Sequence, residues 1–194
     1  MPEIDPALAG LSPDDYTRIS ELADEVVRMY GGTGPPFPIL HLLAILEPVT
    51  LILPPLDDGR DAGVYGYAFP VEFARYKRHA ALCLDSNAPT REVFVTAFHE
   101  AGHVLLHILP DRCAPGIPYA RRAGPPLDPR HGQAEIEADL FARLTTMPAA
   151  WVRPAWLYAA AVTATPDEAV AWMADLFSVP VGWMQRRLLH LGLL

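Results

Sequence analysis

The sequence predicts an α+β fold in which a small, mostly antiparallel sheet packs against helices. Three short β-prone runs follow one another between residues 49 and 84, and segments with clear helix boundaries surround them. The chain has 194 residues, of which 51% are hydrophobic, enough for one compact core. We expect a main domain over residues 1–150 and a short C-terminal helical subdomain over residues 151–194.

The first helix is predicted after Ser12, in PDDYTRISELADEVVRMYGG. Serine is a favoured N-cap, and Pro13 suits the first helical position. Gly31 and Gly32 mark its end.

The three predicted strands are residues 49–53, 64–69 and 80–84. A charged stretch, EFARYKRH, separates the second from the third. We expect 80–84 to be an exposed strand that could bind an extended segment of another protein as an additional strand.

Two further helices are predicted in the middle of the chain. Thr90 is a plausible N-cap for REVFVTAFHEAGHVLLHIL, which Pro110 ends, and AEIEADLFARLTTM stops at Pro148. Between them, residues 110–134 are rich in proline and glycine without periodicity, which predicts a long loop.

The C-terminal region predicts two helices joined at residues 178–180. Thr165 and Glu168 fit a capping box before the first of them. The pair resembles a helix-turn-helix, with Arg186 and Arg187 expected on the surface. A formal net charge of −8 argues against direct nucleic-acid binding, so we expect packing or partner contact instead.

The most apolar run, residues 38–56, contains Glu47 and several prolines, which excludes a single membrane-spanning helix. The N-terminus lacks the pattern of a secretory signal. We therefore expect a cytoplasmic protein with no membrane partner.

The stretch FHEAGHVLLH contains H-E-x-x-H at His99, Glu100 and His103. Residues four apart share a helix face, so both histidines can bind one metal ion. Glu100 lies about 100° around the helix and can act as the general base for a water activated by that ion. Gly102 leaves room for another element to approach this helix closely.

A catalytic zinc site usually has three protein ligands, and EIEAD at residues 135–139 is the best source of the third. Glu135 is the predicted ligand, and Asp139, on the same helix face, is predicted to orient a ligand histidine. Glu137 is expected to point elsewhere. His107 lies about 12 Å along the helix from His99. It is expected to support the site from outside the ligand set, and His131 remains an alternative ligand.

Two segments, FVTAFHEAGHVLLH and EIEADLFARLTTMP, resemble the paired motifs of the ImmA/IrrE family of zinc metallopeptidases. The resemblance covers about residues 15–150 and implies a zincin-like fold. It implies that His99, His103 and Glu135 bind zinc and that Glu100 is the base. A helix-turn-helix transcriptional repressor in a stress-response or phage-type circuit is the implied substrate.

A protein of another class remains open, namely a metal-binding antirepressor or toxin-like module that binds a repressor without cutting it. The metal is open as well. Two histidines and a glutamate suit zinc, and such an oxygen-containing site also accepts manganese or iron.

Overall fold

A computed structural model defines the architecture and describes residues 11–38, 41, 49–52, 64–73, 76–110, 119–122 and 132–194. Most of the apolar run over residues 38–56 and the alternative ligand His131 lie outside these ranges. The α+β class is confirmed, since the described elements are six α-helices, one π-helical segment and four strands.

The first helix, α1 (Pro13–Tyr30), begins and ends where the sequence predicts. The Ser12 side chain accepts a hydrogen bond from the backbone N–H of Asp15 at 3.1 Å, and Gly31 caps the other end. Ile19, Ala23 and Val26 form its buried face. Helix α1 packs against the helix Gly132–Thr146, so it covers one side of the helix that carries Glu135 and Asp139.

The described sheet contains β1 (Val49–Ile52), β2 (Val64–Phe73), β3 (Tyr76–Leu84) and β4 (Tyr119–Arg122), in the order β1-β3-β2-β4. The β2–β3 and β2–β4 pairs are antiparallel and the β1–β3 pair is parallel. The sheet is therefore mostly antiparallel, as predicted.

Two predictions about the sheet are wrong. The charged stretch EFARYKRH was expected to separate two strands, but it forms parts of both, and Phe73 pairs with Tyr76. Backbone pairing in the hairpin outweighs the low strand propensity of its charged residues. The strand at 80–84 is also not exposed: β3 lies between β1 and β2, and residues 80–84 are buried. Both of its edges are already paired, so it cannot accept a further strand there.

The predicted loop over residues 110–134 contains a strand. β4 pairs with β2 through Tyr119–Ala68 and Ala120–Tyr67. Four residues are too few to show an alternating pattern, so a purely sequence-based interpretation misses this strand.

The central helix, α2 (Thr90–His103), continues without a break into a π-helical segment (Val104–Ile108). Pro89, and not Thr90, occupies the N-cap position. Residues 94–103 are all buried, because α2 packs against β2 and β3 on one side and against α3 (Gly132–Thr146) on another.

Gly102 lies where α2 and α3 come closest. A Cβ atom at Gly102 would lie 3.0 Å from Ala138 Cα, 3.2 Å from the Ala138 oxygen and 3.2 Å from Phe141 Cδ1. The expected close approach is confirmed, and it brings the acidic residues of α3 against the histidines of α2.

Three helices complete the chain: α4 (Ala149–Val162), α5 (Pro166–Phe177) and α6 (Val181–His190). The capping box of Thr165 and Glu168 is present, and residues 178–180 join α5 to α6 as predicted. None of the helices within the described ranges is long and apolar enough to cross a membrane.

Exposure of Arg187 was predicted wrongly. This residue is only 3% exposed, and its Nε donates a hydrogen bond to the backbone oxygen of Met147 at 2.9 Å. Arg186 is exposed. Only one of the two arginines is thus available to an external partner. The division at residue 150 stays a prediction, and the Arg187–Met147 hydrogen bond crosses it.

We expect Gly102→Ala to lower the free energy of unfolding by about 1 kcal/mol, since overpacking outweighs the gain in helix propensity. It should also weaken metal binding by pushing α3 away from α2. Gly182→Ala is the matched control, because Gly182 lies in an exposed first turn with nothing within 4 Å of its added Cβ. Urea unfolding and a metal titration test both, and equal effects of the two substitutions would contradict the prediction.

Candidate metal centre

The residues singled out in the two motifs lie on facing helices. α2 carries His99, Glu100 and His103, and α3 carries Glu135 and Asp139. His99, Glu100 and His103 are at most 2% exposed. The site therefore lies inside the protein, where charge interactions are weakly screened.

Three candidate ligand groups converge. His99 Nε2 lies 3.0 Å from His103 Nε2 and 3.1 Å from Glu135 Oε2, and His103 Nε2 lies 3.4 Å from Glu135 Oε1. The three ligand atoms are all within 4.8 Å of one another. The lone pairs of these nitrogen and oxygen atoms repel one another at such distances unless a cation, either a proton or a metal ion, lies between them. Two imidazoles and a carboxylate also form the His₂Glu set that zinc accepts.

His99 is oriented by Asp139. His99 Nδ1 lies 2.8 Å from Asp139 Oδ1 and can donate its N–H to that carboxylate. In a metal-loaded site the ring would be neutral, and its Nε2 lone pair would then face the cluster. Asp139 is partly exposed, at 39% of its side chain. This is the arrangement predicted from its spacing to Glu135.

His107 lies outside the cluster, in the π-helical segment, and is 5% exposed. Its Nδ1 is 3.3 Å from His103 Nδ1, on the side of the His103 ring opposite to Nε2. The structure thus places His107 behind a candidate ligand, in agreement with the argument from helix rise.

Glu137 lies next to the site, outside the cluster of candidate ligands. Its Oε2 accepts a hydrogen bond from Arg18 at 2.8 Å and lies 3.3 Å from His107 Nε2. As expected, Glu137 does not share the helix face on which Glu135 and Asp139 meet the cluster. It lies instead beside His107, where Arg18 from α1 holds it. The sequence places Glu137 two residues after Glu135, but no local pattern predicts its contact with Arg18.

Glu100 is fully buried. It lies next to the ligand positions on α2, and its charge is among the groups that raise the pKa of His99.

The pKa values of the two histidines move in opposite directions without a metal ion. Burial lowers the pKa of His99, but hydrogen bonds with Asp139 and Glu135 outweigh burial and raise it to about 9. Burial, reinforced by the charge of His99, lowers the pKa of His103 to about 3. Burial raises the pKa of Glu135, and hydrogen bonds with both histidines reverse that effect and lower it. Without a metal ion, these shifts make His99 the positively charged imidazole at neutral pH, while His103 is neutral and Glu135 is ionised.

No protein-family model matches this chain, and no curated protein matches it.

We expect the metal-free protein to lose stability between about pH 6.5 and 9. The pKa of His99 is raised on folding, so its contribution is complete below 6.5 and disappears as the pH rises through about 9. The lowered pKa of His103 changes the free energy of unfolding only below pH 6.5, so it does not contribute to this decline. Urea unfolding of chelator-treated protein tests this across the range. The decline should be absent in His99→Asn, and an unchanged decline in that variant would contradict the assignment.

Proposed function

We propose that this protein is a metal-dependent endopeptidase. The observation that carries the proposal is the convergence of His99 Nε2, His103 Nε2 and the Glu135 carboxylate, with Glu100 buried beside them. A structural metal site needs no glutamate next to its ligands, whereas hydrolysis needs a base.

His99, His103 and Glu135 would hold the metal ion, and zinc is the ion that this ligand set suits best. Manganese or iron would be accepted by the same ligands where it is available. When bound, such an ion supplies an acidified water and polarises the peptide carbonyl. Asp139 keeps the Nε2 lone pair of His99 directed to the cluster.

Glu100 is the proposed general base. Its carboxylate accepts the proton of the attacking water and then donates that proton to the departing amine. Because Glu100 is fully buried, no bulk water competes for this proton.

The resemblance to the ImmA/IrrE family supports the substrate class. We infer that the substrate is a helix-turn-helix transcriptional repressor, cut in the cytoplasm at one site within a stress-response or phage-type circuit. A single exposed arginine on α6 favours protein contact over DNA contact for the C-terminal helices.

The substrate chain would lie along β4 and not along β3. β4 is an outer strand of the described sheet and packs against α2, which carries the candidate ligands. An extended segment added to its outer edge would therefore run past the metal centre.

We expect Glu100→Gln to reduce cleavage by a factor of about 10² or more while leaving the metal content unchanged. The amide keeps the shape of the side chain but cannot accept the proton. The assay incubates metal-loaded protein with helix-turn-helix repressors, beginning with any that is encoded beside its gene, and mass spectrometry identifies the fragments. Glu25→Gln, an exposed change on α1, is the control and should cut like the wild type.

The same assay separates the two functional classes. One defined cut that is absent in Glu100→Gln supports the peptidase. A stable complex of metal-loaded protein and intact repressor, with no cut, would favour the non-catalytic antirepressor.

A further inference from the structure

A continuous series of polar contacts leads from the protein surface to the ring of His103. It starts at Arg18 on α1, which is 33% exposed, and passes through Glu137 on α3 and His107 in the π-helical segment. The distances are 2.8 Å from Arg18 to Glu137, 3.3 Å from Glu137 to His107 and 3.3 Å from His107 to His103. Three separate elements therefore contribute to the surroundings of one candidate ligand.

Only one arrangement of protons satisfies all these contacts in the loaded site. His103 must keep Nε2 unprotonated to bind a metal ion, so its proton lies on Nδ1. The Nδ1 atom of His107, which faces that proton, must then be the acceptor, which leaves the proton of His107 on Nε2. That proton is donated to Glu137, which accepts a further hydrogen bond from Arg18.

We propose that Glu137 is a positioning residue for the metal centre, acting on His103 through His107, with Arg18 holding Glu137 in place. This inference rests on the proposed metal site and deepens it. The two ligand histidines are thus supported differently: Asp139 contacts His99 directly, whereas Glu137 reaches His103 through a second imidazole.

Arg18 is essential to this arrangement because it fixes the acceptor. Glu137 Oε2 accepts hydrogen bonds from Arg18 and, in this arrangement, from His107. Gln133 donates a hydrogen bond to Glu137 Oε1 at 3.3 Å. A carboxylate held on both oxygens has a defined orientation, so the proton of His107 is drawn to Nε2.

The test is a double-mutant cycle read by Co²⁺ binding, since Co²⁺ reports on a zinc site through its visible absorption. We expect Glu137→Gln and His107→Leu each to weaken Co²⁺ binding by about 10-fold, the lower end of the range for partners of metal ligands. The double variant should bind no more weakly than His107→Leu, because both changes interrupt one chain. Additive losses would overturn the proposal.

A spectroscopic measurement addresses the mechanism directly. In zinc-loaded protein, long-range ¹H–¹⁵N spectra should show His107 protonated at Nε2 and His103 at Nδ1. Glu137→Gln should shift the ¹⁵N signals of His107. Protonation of His107 at Nδ1 in the wild type would overturn the proposal.

Arg18→Met and Arg28→Met form a matched pair on α1. Arg28 lies in the last turn and is exposed, so its replacement should leave Co²⁺ affinity unchanged. Arg18→Met should weaken Co²⁺ binding. The variant that combines Arg18→Met with Glu137→Gln should bind Co²⁺ no more weakly than Glu137→Gln alone. This second double-mutant cycle replaces the first if His107→Leu does not fold.

Lower stability of the metal-free protein with unchanged Co²⁺ affinity would show that Arg18 and Glu137 have a structural role only, and would overturn the proposal. A wild type that binds no Co²⁺ would overturn both the inference and the metal site.

Discussion

The close approach of α2 and α3 at Gly102 is the constraint on which the candidate site depends. A Cβ atom there would lie 3.0 Å from the backbone of Ala138, so any larger residue separates the helices. The distances from Glu135 to His99 and His103 depend on that separation. The candidate metal centre is thus a consequence of helix packing.

Burial gives the site its electrostatic character. His99, Glu100 and His103 are almost completely buried, and such groups are stable only when each has a compensating neighbour. Asp139 and Glu135 from α3 supply that compensation for the two histidines. The polar groups form a connected set, in which a change at one position alters the protonation of the next.

Much of the site could be predicted from the sequence because its information is local. The spacing of His99 and His103 fixes a shared helix face, and the spacing of Glu135 and Asp139 does the same on the facing helix. Other features depend on contacts between distant residues. Burial of Arg187 and the contact of Arg18 with Glu137 follow from how helices dock, which no local pattern records. The sequence does not predict β4, because four residues are too few to show the alternation of polar and apolar side chains that is typical of a strand.

The contact between Arg18 and Glu137 also affects the order in which the site is assembled. The two residues are 119 positions apart, whereas His99 and His103 are neighbours on one helix. Closing so long a loop costs chain entropy, so local contacts form first in folding. We therefore expect the histidines to be aligned as soon as α2 forms, and Glu137 to be held beside His107 only after α1 docks.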